Sequence, residues 1–276
     1  MDKVVAAQVK KGLMLPLMEA FYTIQGEGYH KGTAAYFIRI GGCDVGCHWC
    51  DVKESWNAKL HPPTEILNIV TAAKTYSDTI VVTGGEPLMW DMTPLTAQLK
   101  AEGLQTHIET SGAYPLTGIW DWICLSPKKL KLPTPAIYEK ANELKVIVYN
   151  KSDFSFAEEQ AARVNKNCIL YLQPEWSKRD KVTPSIVEYV MQNPKWRVSL
   201  QTHKYLNIPE AFGFWLLEKI RYKKIRKYQQ PDFFNFILNL HSPLSSLHSP
   251  VSSLQSPLST LSRFCKRYFK PHIPPA

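Results

Sequence analysis

Residues 41–51 read Gly-Gly-Cys-Asp-Val-Gly-Cys-His-Trp-Cys-Asp and directly follow the apolar stretch 35–40. They hold three of the chain's six cysteines, Cys43, Cys47 and Cys50, at the spacing C-x3-C-x2-C. Three thiolates on one tight loop can bind one inorganic centre, and thiolates prefer zinc or an iron-sulfur cluster. His48 is the local candidate for a fourth ligand, but its place in the short turn makes simultaneous binding awkward. The spacing favours a cluster with one open iron over structural zinc, unligated cysteines or a disulfide.

The composition predicts a soluble globular protein of one or two domains, since 45% of the 276 residues are hydrophobic. No apolar run approaches the roughly 20 residues that span a bilayer, and the start, Met1-Asp2-Lys3, lacks a signal peptide's apolar centre. We therefore expect a cytoplasmic protein with no membrane partner. In that reducing compartment, closely spaced cysteines are metal ligands more often than disulfides.

The basic charge is concentrated at one end of the chain. Residues 210–276 contain ten Lys/Arg and three Asp/Glu, which accounts for most of the formal net charge of +9. The main domain is therefore nearly balanced in charge, and we predict no nucleic-acid partner.

Residues 210–276 also differ from the rest in composition, so we predict two domains, 1–209 and 210–276. The stretch Leu240–Ser246 repeats with a seven-residue period, and each repeat contains a proline, which forbids a coiled coil. The Ser/Pro content predicts an irregular, disordered C-terminal extension. A frame-shifted or read-through gene end and a basic segment that touches membrane or nucleic acid are both open interpretations.

Hydrophobic patterning in residues 1–209 predicts alternating strands and helices, which is typical of a parallel sheet with crossover helices. The predicted strands are 35–40, 79–83, 105–109, 122–125, 143–148, 169–172 and 197–200. The predicted helices are 64–73, with Thr64 as cap, 94–102, 154–165 and 184–191. The fold class is therefore α/β, and about six parallel strands suggest an incomplete TIM-type barrel.

Polar and glycine-rich motifs recur where these strands end, at Cys43, Gly84, Thr110, Ser126 and Gln173. Ligands of parallel α/β folds bind at the carboxyl edge of the sheet. We expect the five strand ends to surround one cavity. A further turn, Gln25-Gly26-Glu27-Gly28, pairs two polar side chains with glycines that let the backbone approach a ligand.

The cysteine loop after one strand, together with Gly84-Gly85-Glu86-Pro87 after the next, resembles the radical S-adenosylmethionine superfamily. Within it, five motifs resemble the 7-carboxy-7-deazaguanine synthase family of queuosine and 7-deazapurine biosynthesis, and the likeness covers residues 15–209. These motifs are Thr23–Gly28, Trp49-Cys50-Asp51, Glu109–Gly112, Ser126–Lys128 and Gln201–Lys204.

The resemblance implies a lyase with a [4Fe-4S] cluster whose open iron binds S-adenosylmethionine. Reductive cleavage yields a 5'-deoxyadenosyl radical, which takes hydrogen from 6-carboxy-5,6,7,8-tetrahydropterin. Rearrangement with ring contraction and ammonia loss gives 7-carboxy-7-deazaguanine, and S-adenosylmethionine is regenerated. The cofactors do the difficult chemistry while the protein orients and shields.

The resemblance also implies residue roles. Cys43, Cys47 and Cys50 would bind the cluster as its metal ligands. The residues expected to hold S-adenosylmethionine are Trp49, Cys50, Asp51, Gly85, Ser126, Pro127, Lys128 and Gln173. Those expected to contact the pterin are Ile24, Gln25, Gly26, Arg39, Thr83, His203 and Pro209. The planar fork of Arg39 suits the 6-carboxylate.

The sequence departs from the family pattern in two places. Val52 stands where relatives often carry a threonine that binds Mg2+, so Asp51, a backbone carbonyl or water would have to replace it. Relatives tend to end near Pro209, whose terminal carboxylate would then lie close to the substrate, whereas this chain continues for 67 residues.

The resemblance further implies a homodimer and a flavodoxin- or ferredoxin-type electron donor. Two other functions stay open at this point. The first is an activase that abstracts hydrogen from a glycyl-radical enzyme, since such activases also use C-x3-C-x2-C. The second is a zinc-binding interaction protein, for which His48 and the tail would matter most.

Overall fold

The computed structural model describes residues 2–208 of the 276-residue chain. The predictions for residues 210–276, and with them the domain boundary at residue 209, lie outside the described part. The strands are β1 (Met14–Ile24), β2 (Ala34–Ile40), β3 (Pro63–Glu65), β4 (Thr79–Gly84), β5 (Gln105–Thr110), β6 (Trp122–Leu125), β7 (Glu143–Val148), β8 (Ile169–Pro174) and β9 (Trp196–Val198). The helices are α1 (Lys3–Lys10), α2 (Ile66–Ala73), α3 (Thr93–Ala101), α4 (Pro135–Lys140), α5 (Ser152–Ala161), α6 (Arg179–Gln192) and α7 (Thr202–Tyr205).

The nine strands that the described residues form make one sheet, in the order β3-β1-β2-β4-β5-β6-β7-β8-β9. From β2 to β9 every pair along this order is parallel, whereas β1 is antiparallel to both β2 and β3. The predicted α/β class with a mostly parallel sheet is confirmed. Strand β1 was not predicted, because its residues do not alternate in polarity and include Pro16, which is tolerated near a sheet edge.

Several predicted element boundaries were wrong by a few residues. Thr64 does not cap α2, since it lies in β3 and its hydroxyl donates to the carbonyl of Pro62. Helix α6 begins at Arg179, so Pro184 lies inside the helix rather than at its start. Helix α5 ends at Ala161, and β9 is limited to three residues. Residue preferences alone do not fix where the terminal hydrogen bonds of an element stop, so its ends are the least predictable part.

The two faces of the sheet differ in chemistry because side chains alternate along each strand. In β7, Leu144 and Val146 belong to the large apolar core that the helices cover. Between them, Lys145 points to the opposite, inner face and lines a cavity. The inner face therefore combines a small apolar cluster around Phe37 with charged and amide side chains.

The sheet curves so that its distant strands approach each other. The N–H of Thr202, just after β9, donates to the carbonyl of Gly26, just after β1, at 2.8 Å. The N–H of Gly28 donates to the Ser199 hydroxyl at 3.0 Å. Seven strand spacings of about 4.8 Å separate β1 from β9 in a flat sheet, so these bonds require strong curvature. Since β9 and β3 do not pair within residues 2–208, the barrel is incomplete, as predicted.

Within residues 2–208, none of the helices combines the length and apolar character that crossing a membrane requires.

Candidate active site

A cavity of about 280 Å³ lies on the inner face of the curved sheet. Its wall includes all five of the strand ends that the sequence singled out, namely Cys43, Gly84, Thr110, Ser126 and Gln173. The carboxyl ends of parallel strands meet at one edge, which is why motifs far apart in sequence converge here. The expectation of one shared cavity is confirmed.

The thiol groups of Cys43, Cys47 and Cys50 all line this cavity and none is in a disulfide. The loop that carries them is held by backbone bonds. The N–H of Gly42 donates to the carbonyl of Ser55 at 2.6 Å, and the N–H of Cys43 donates to that of Trp56 at 3.1 Å. The loop therefore presents three partly buried thiols from a fixed backbone.

These thiols fit an iron-sulfur cluster. Burial raises the pKa of Cys43 and Cys47, and the ammonium of Lys128 opposes this effect at Cys47. In the described part of the chain, no three His, Cys, Asp or Glu side chains are arranged to hold a single metal ion. A [4Fe-4S] cluster has a different requirement, because each thiolate binds a separate iron. His48 stands outside the cavity wall and packs edge-on against Tyr149, with ring centroids 5.0 Å apart.

The Gly-Gly-Glu-Pro turn joins the ends of β4 and β5. Glu86 is only 1% exposed, and its carboxylate accepts hydrogen bonds from the Thr110 hydroxyl at 2.5 Å and from the N–H and hydroxyl of Ser111. A Cβ at Gly85 would lie 2.3 Å from the carbonyl oxygen of Gly42. Only a glycine lets this strand end pass so close to the cysteine loop.

The Ser126-Pro127-Lys128 turn brings a partly buried cation beside the thiols. The ammonium of Lys128 donates to the carbonyl and the hydroxyl of Ser126, both at 2.6 Å, and lies 5.5 Å from the ring centroid of Trp49. Burial lowers its pKa, while the thiol of Cys47 acts in the opposite direction. Pro127 itself is absent from the cavity wall, so it shapes the turn rather than facing the cavity.

A second charged group lies deeper in the cavity. The ammonium of Lys145 forms ion pairs with Glu27 and, at 3.4 Å, with Glu109. Burial alone would raise the pKa of Glu27, but the charge and hydrogen bond of Lys145, together with hydrogen bonds from Gln201 and Gln173, outweigh it, so the pKa falls. Amides complete the cluster, since Gln25 donates to Glu109 at 2.8 Å and Gln201 donates to Glu27 at 2.9 Å.

Arg39 supplies a further cation on the cavity wall. Its guanidinium lies 5.4 Å from the ring centroid of Phe21, and its Nε is 3.3 Å from the carboxylate of Glu19. That contact is an ion pair without hydrogen-bond geometry, so the buried Nε makes no hydrogen bond within residues 2–208. The guanidinium is positioned to pair with an anionic group in the cavity.

The segment 201–208 closes the cavity from one side. Lys204 lies 3.3 Å from Asp51 of the cysteine loop, and His203 and Ile208 line the wall. A Cβ at Gly26 would lie 2.0 Å from Nδ1 of His203, so a glycine is required at that contact. Pro209, the last predicted pterin contact, lies outside the described residues.

The structure brings together every other predicted site residue except Pro127. The predicted residues on the cavity wall are Ile24, Gln25, Gly26, Arg39, Cys43, Cys47, Trp49, Cys50, Asp51, Thr83, Gly85, Ser126, Lys128, Gln173 and His203. Sequence reasoning did not assign Lys145 or Trp176 to the site, although both line it. Glu27 and Glu109 also line it; the sequence motifs singled them out but gave neither a named role. A lysine at an inner position of an otherwise apolar strand was a signal that could have identified Lys145.

This arrangement defines the class of protein. A strand that ends in a loop with three cavity-facing thiols, beside a parallel strand that ends in Gly-Gly-Glu-Pro, is typical of radical S-adenosylmethionine enzymes. The family profile described as the Radical SAM superfamily matches residues 37–125. That span runs from β2 to the end of β6.

Individual relatives are more specific. A 7-carboxy-7-deazaguanine synthase from Flavobacterium psychrophilum is 75% identical over 209 residues, covering 76% of this chain and all of that protein. Another, from Synechocystis sp., is 50% identical over 194 residues, covering 70% of this chain and 93% of the relative. The crystal structure of QueE from Escherichia coli matches with a TM-score of 0.62 and 32% identity, covering 71% of this chain and 98% of that one. The chain belongs to the 7-carboxy-7-deazaguanine synthase family of radical S-adenosylmethionine enzymes.

Family membership confirms the resemblance drawn from the sequence motifs and makes the chain an enzyme. It also implies the [4Fe-4S] cluster and S-adenosylmethionine as cofactors. It favours this function over the glycyl-radical activase and over the zinc-binding interaction protein.

Proposed function

We propose that the chain converts 6-carboxy-5,6,7,8-tetrahydropterin to 7-carboxy-7-deazaguanine, with ring contraction and loss of ammonia, in queuosine and 7-deazapurine biosynthesis. The observation that carries this proposal is the 75% identity to a 7-carboxy-7-deazaguanine synthase over that protein's whole length. The cavity supports it by offering a cation, carboxylates and amides to one polar ligand beside the three thiols.

Cys43, Cys47 and Cys50 hold the cluster in this proposal, which leaves one iron for S-adenosylmethionine. Together these cofactors supply the one-electron chemistry that removes hydrogen from the substrate. The protein's part is to bind and orient. The proposed contacts to S-adenosylmethionine are Trp49, Cys50, Asp51, Gly85, Ser126, Lys128 and Gln173, with Pro127 shaping the turn.

The substrate is held on the other side of the cavity. Arg39 pairs with the 6-carboxylate, because its fork matches that group and its Nε makes no hydrogen bond within residues 2–208. Ile24, Gln25, Gly26 and Thr83 contact the pterin ring. His203 belongs to the closing segment 201–208, which would exclude water from the reacting atoms. Pro209 is a further proposed contact to the pterin.

Mg2+ is proposed as a further cofactor, although Val52 cannot bind it through its side chain. The carbonyl of Val52 is already engaged, since it accepts from the N–H of Ser55 at 3.1 Å and from its hydroxyl at 2.6 Å. The carboxylate of Asp51 lies at the cavity wall and is the nearby oxygen donor that replaces the missing threonine.

We further propose a homodimer in the cytoplasm, served by a flavodoxin- or ferredoxin-type electron donor. The free thiols of the described cysteines suit a reducing compartment. We propose that the catalytic domain spans residues 1–209 and that residues 210–276 are an extension to it. The Flavobacterium relative supports a boundary near this point, since it aligns over 209 residues that make up all of that protein.

The test is anaerobic reconstitution with iron and sulfide, followed by incubation with S-adenosylmethionine, a reductant and the carboxy-tetrahydropterin. Mass spectrometry should detect 7-carboxy-7-deazaguanine and ammonia release. Cys50→Ala should lose bound iron and all turnover, whereas the matched control Cys168→Ala, remote from the cavity, should keep both. A reconstituted wild type that leaves the pterin unchanged would overturn the proposal.

A further inference from the structure

We propose that Lys145 is a positioning residue for the pterin site, where it fixes the carboxylates of Glu27 and Glu109 as oriented hydrogen-bond acceptors. This inference rests on the proposed function. Lys145 acts through its two neighbours rather than on the reacting atoms.

The geometry places one cation between two carboxylates that come from different parts of the fold. Lys145 lies in β7, Glu109 lies at the end of β5, and Glu27 lies in the loop after β1. The Lys145 side chain is only 4% exposed, and its ammonium contacts Glu27 and lies 3.4 Å from Glu109. A buried ammonium is costly unless it is paired, so the three groups hold one another in place.

The two carboxylates, Glu27 and Glu109, also fix the Gln25-Gly26-Glu27 turn. Gln25 donates through Nε2 to Glu109 at 2.8 Å, and its Oε1 accepts from the N–H of Glu27 at 3.1 Å. Gln201 donates to the remaining oxygen of Glu27 at 2.9 Å. The orientation of the turn therefore depends on two carboxylates that share Lys145.

The titratable groups that face Lys145 are mostly hydrogen-bond acceptors. They are Glu27 from the β1–β2 loop, Glu109 from β5, Glu143 from β7, the thiol of Cys124 from β6, which burial keeps neutral by raising its pKa, and one cation, Lys128, from the turn after β6. Burial lowers the pKa of Lys145, but the surrounding acidic groups outweigh it and raise the pKa well above its usual value. Lys145 therefore stays charged throughout the working pH range, and it lowers the pKa of Glu27.

Ionised, oriented carboxylates accept strong hydrogen bonds from the N–H groups of a pterin. A protonated carboxyl is a weaker acceptor, and a rotated one is misplaced. Without Lys145, burial would raise the pKa of Glu27, so this carboxylate would become protonated first at low pH. The loss of these acceptors should therefore weaken substrate binding and should not change the chemistry at the cluster.

The experiment compares the reconstituted wild type with Lys145→Met, which removes the charge but keeps the length of the side chain. We expect the KM for the carboxy-tetrahydropterin to rise about tenfold or more, since about 1.4 kcal/mol corresponds to a factor of ten. The rise should be largest at low pH and should shrink as pH increases. Cleavage of S-adenosylmethionine without pterin should keep its wild-type rate.

Three further variants separate positioning from folding. Lys145→Arg keeps the charge and should restore most of the affinity. The double variant Lys145→Met/Glu27→Gln removes one charge of each sign, so it should fold even where the single variant is unstable, and its KM should still be raised. Lys195→Met breaks an ion pair with Glu158 that lies outside the cavity, so it should match the wild type.

The outcomes are distinct. A Lys145→Met enzyme with wild-type KM at every pH would overturn the inference. A loss of kcat that is the same at every pH, with pterin-free cleavage equally reduced, would also overturn it in favour of a purely structural role. A wild type without pterin turnover would overturn the proposed function and this inference with it.

Discussion

The carboxylate of Glu86 accepts a hydrogen bond from the backbone N–H of Ser111 at 2.8 Å, which ties the end of β4 to the end of β5. The Ser111 hydroxyl also donates to it, and the Thr110 hydroxyl donates at 2.5 Å. The glutamate of the Gly-Gly-Glu-Pro turn is therefore a buried brace that sets the shape of the cavity edge.

Replacing Glu86 with Gln should destabilise the protein by about 1–3 kcal/mol, because an amide group offers one acceptor oxygen to four buried donors, namely the N–H groups of Leu88 and Ser111 and the hydroxyls of Thr110 and Ser111. Urea unfolding followed by circular dichroism measures this change. The control is Glu159→Gln on the exposed face of α5, which should change the free energy of unfolding by less than about 0.5 kcal/mol. Equal stability of the two variants would contradict the bracing role.

Gly85→Ala should weaken S-adenosylmethionine binding by about tenfold or more. The added Cβ would meet the backbone carbonyl of Gly42, which cannot move without displacing the cysteine loop. Calorimetric titration of the reconstituted protein measures the Kd. The control Gly103→Ala adds a Cβ with no neighbour within 4 Å, and although its positive φ costs about 1–2 kcal/mol, its Kd should be unchanged.

Val52→Thr should lower the Mg2+ concentration that gives half-maximal stimulation of turnover. The threonine hydroxyl adds an oxygen ligand at the cavity wall, where valine has none. Turnover is measured against added Mg2+ after chelation, with Val187→Thr on an exposed position of α6 as the control. Indifference of both the wild type and the Val52 variant to Mg2+ would remove the ion from the mechanism.

Ending the chain after Pro209 should lower the KM for the pterin substrate. Ile208, the last residue that the structure describes, lines the cavity, and Pro209 follows it directly in the sequence. Truncation would place a carboxylate there in place of a peptide bond. Steady-state kinetics of the full-length and truncated enzymes measure the effect, and identical KM values would show that this terminus has no role in substrate binding.

The free energy of unfolding should fall as pH is lowered from 6.5 toward 4, partly because of His107. Burial lowers the pKa of His107 from 6.5 to about 4. The neighbouring His30 and Lys100 act in the same direction, whereas Asp121 opposes them. Between these values the unfolded chain binds more protons than the folded one, so stability decreases with decreasing pH. His107→Gln should flatten this dependence in urea titrations at several pH values.

The control for that experiment is His61→Gln, which removes a histidine whose Nε2 bonds the carbonyl of Glu54 near the surface. The wild-type slope of stability against pH should persist in this variant. A His107→Gln protein with the same slope as the wild type would contradict the assignment.

Much of the parallel sheet was predictable because buried strands are local apolar runs, as Thr79–Thr83 and Glu143–Val148 illustrate. The positions of the strand ends, and hence the cavity, follow from the handedness and parallel order of such folds. Strand β1 was missed, because an antiparallel strand that contains Pro16 lacks both alternation and a continuous apolar run. The predicted start of α6 at Pro184 was also wrong, because the helix begins at Arg179 and residue preferences alone do not fix helix ends.

The chemistry of the cysteine loop follows from the sequence alone, because Cys43, Cys47 and Cys50 are neighbours along the chain and their spacing needs no long-range contact. What lies opposite that loop depends on how the chain folds. Lys145 and Glu27 are 118 residues apart in sequence, and they meet because curvature of the sheet brings the loop after β1 across its inner face. A buried ion pair between distant residues leaves no local spacing pattern, so folding alone reveals it.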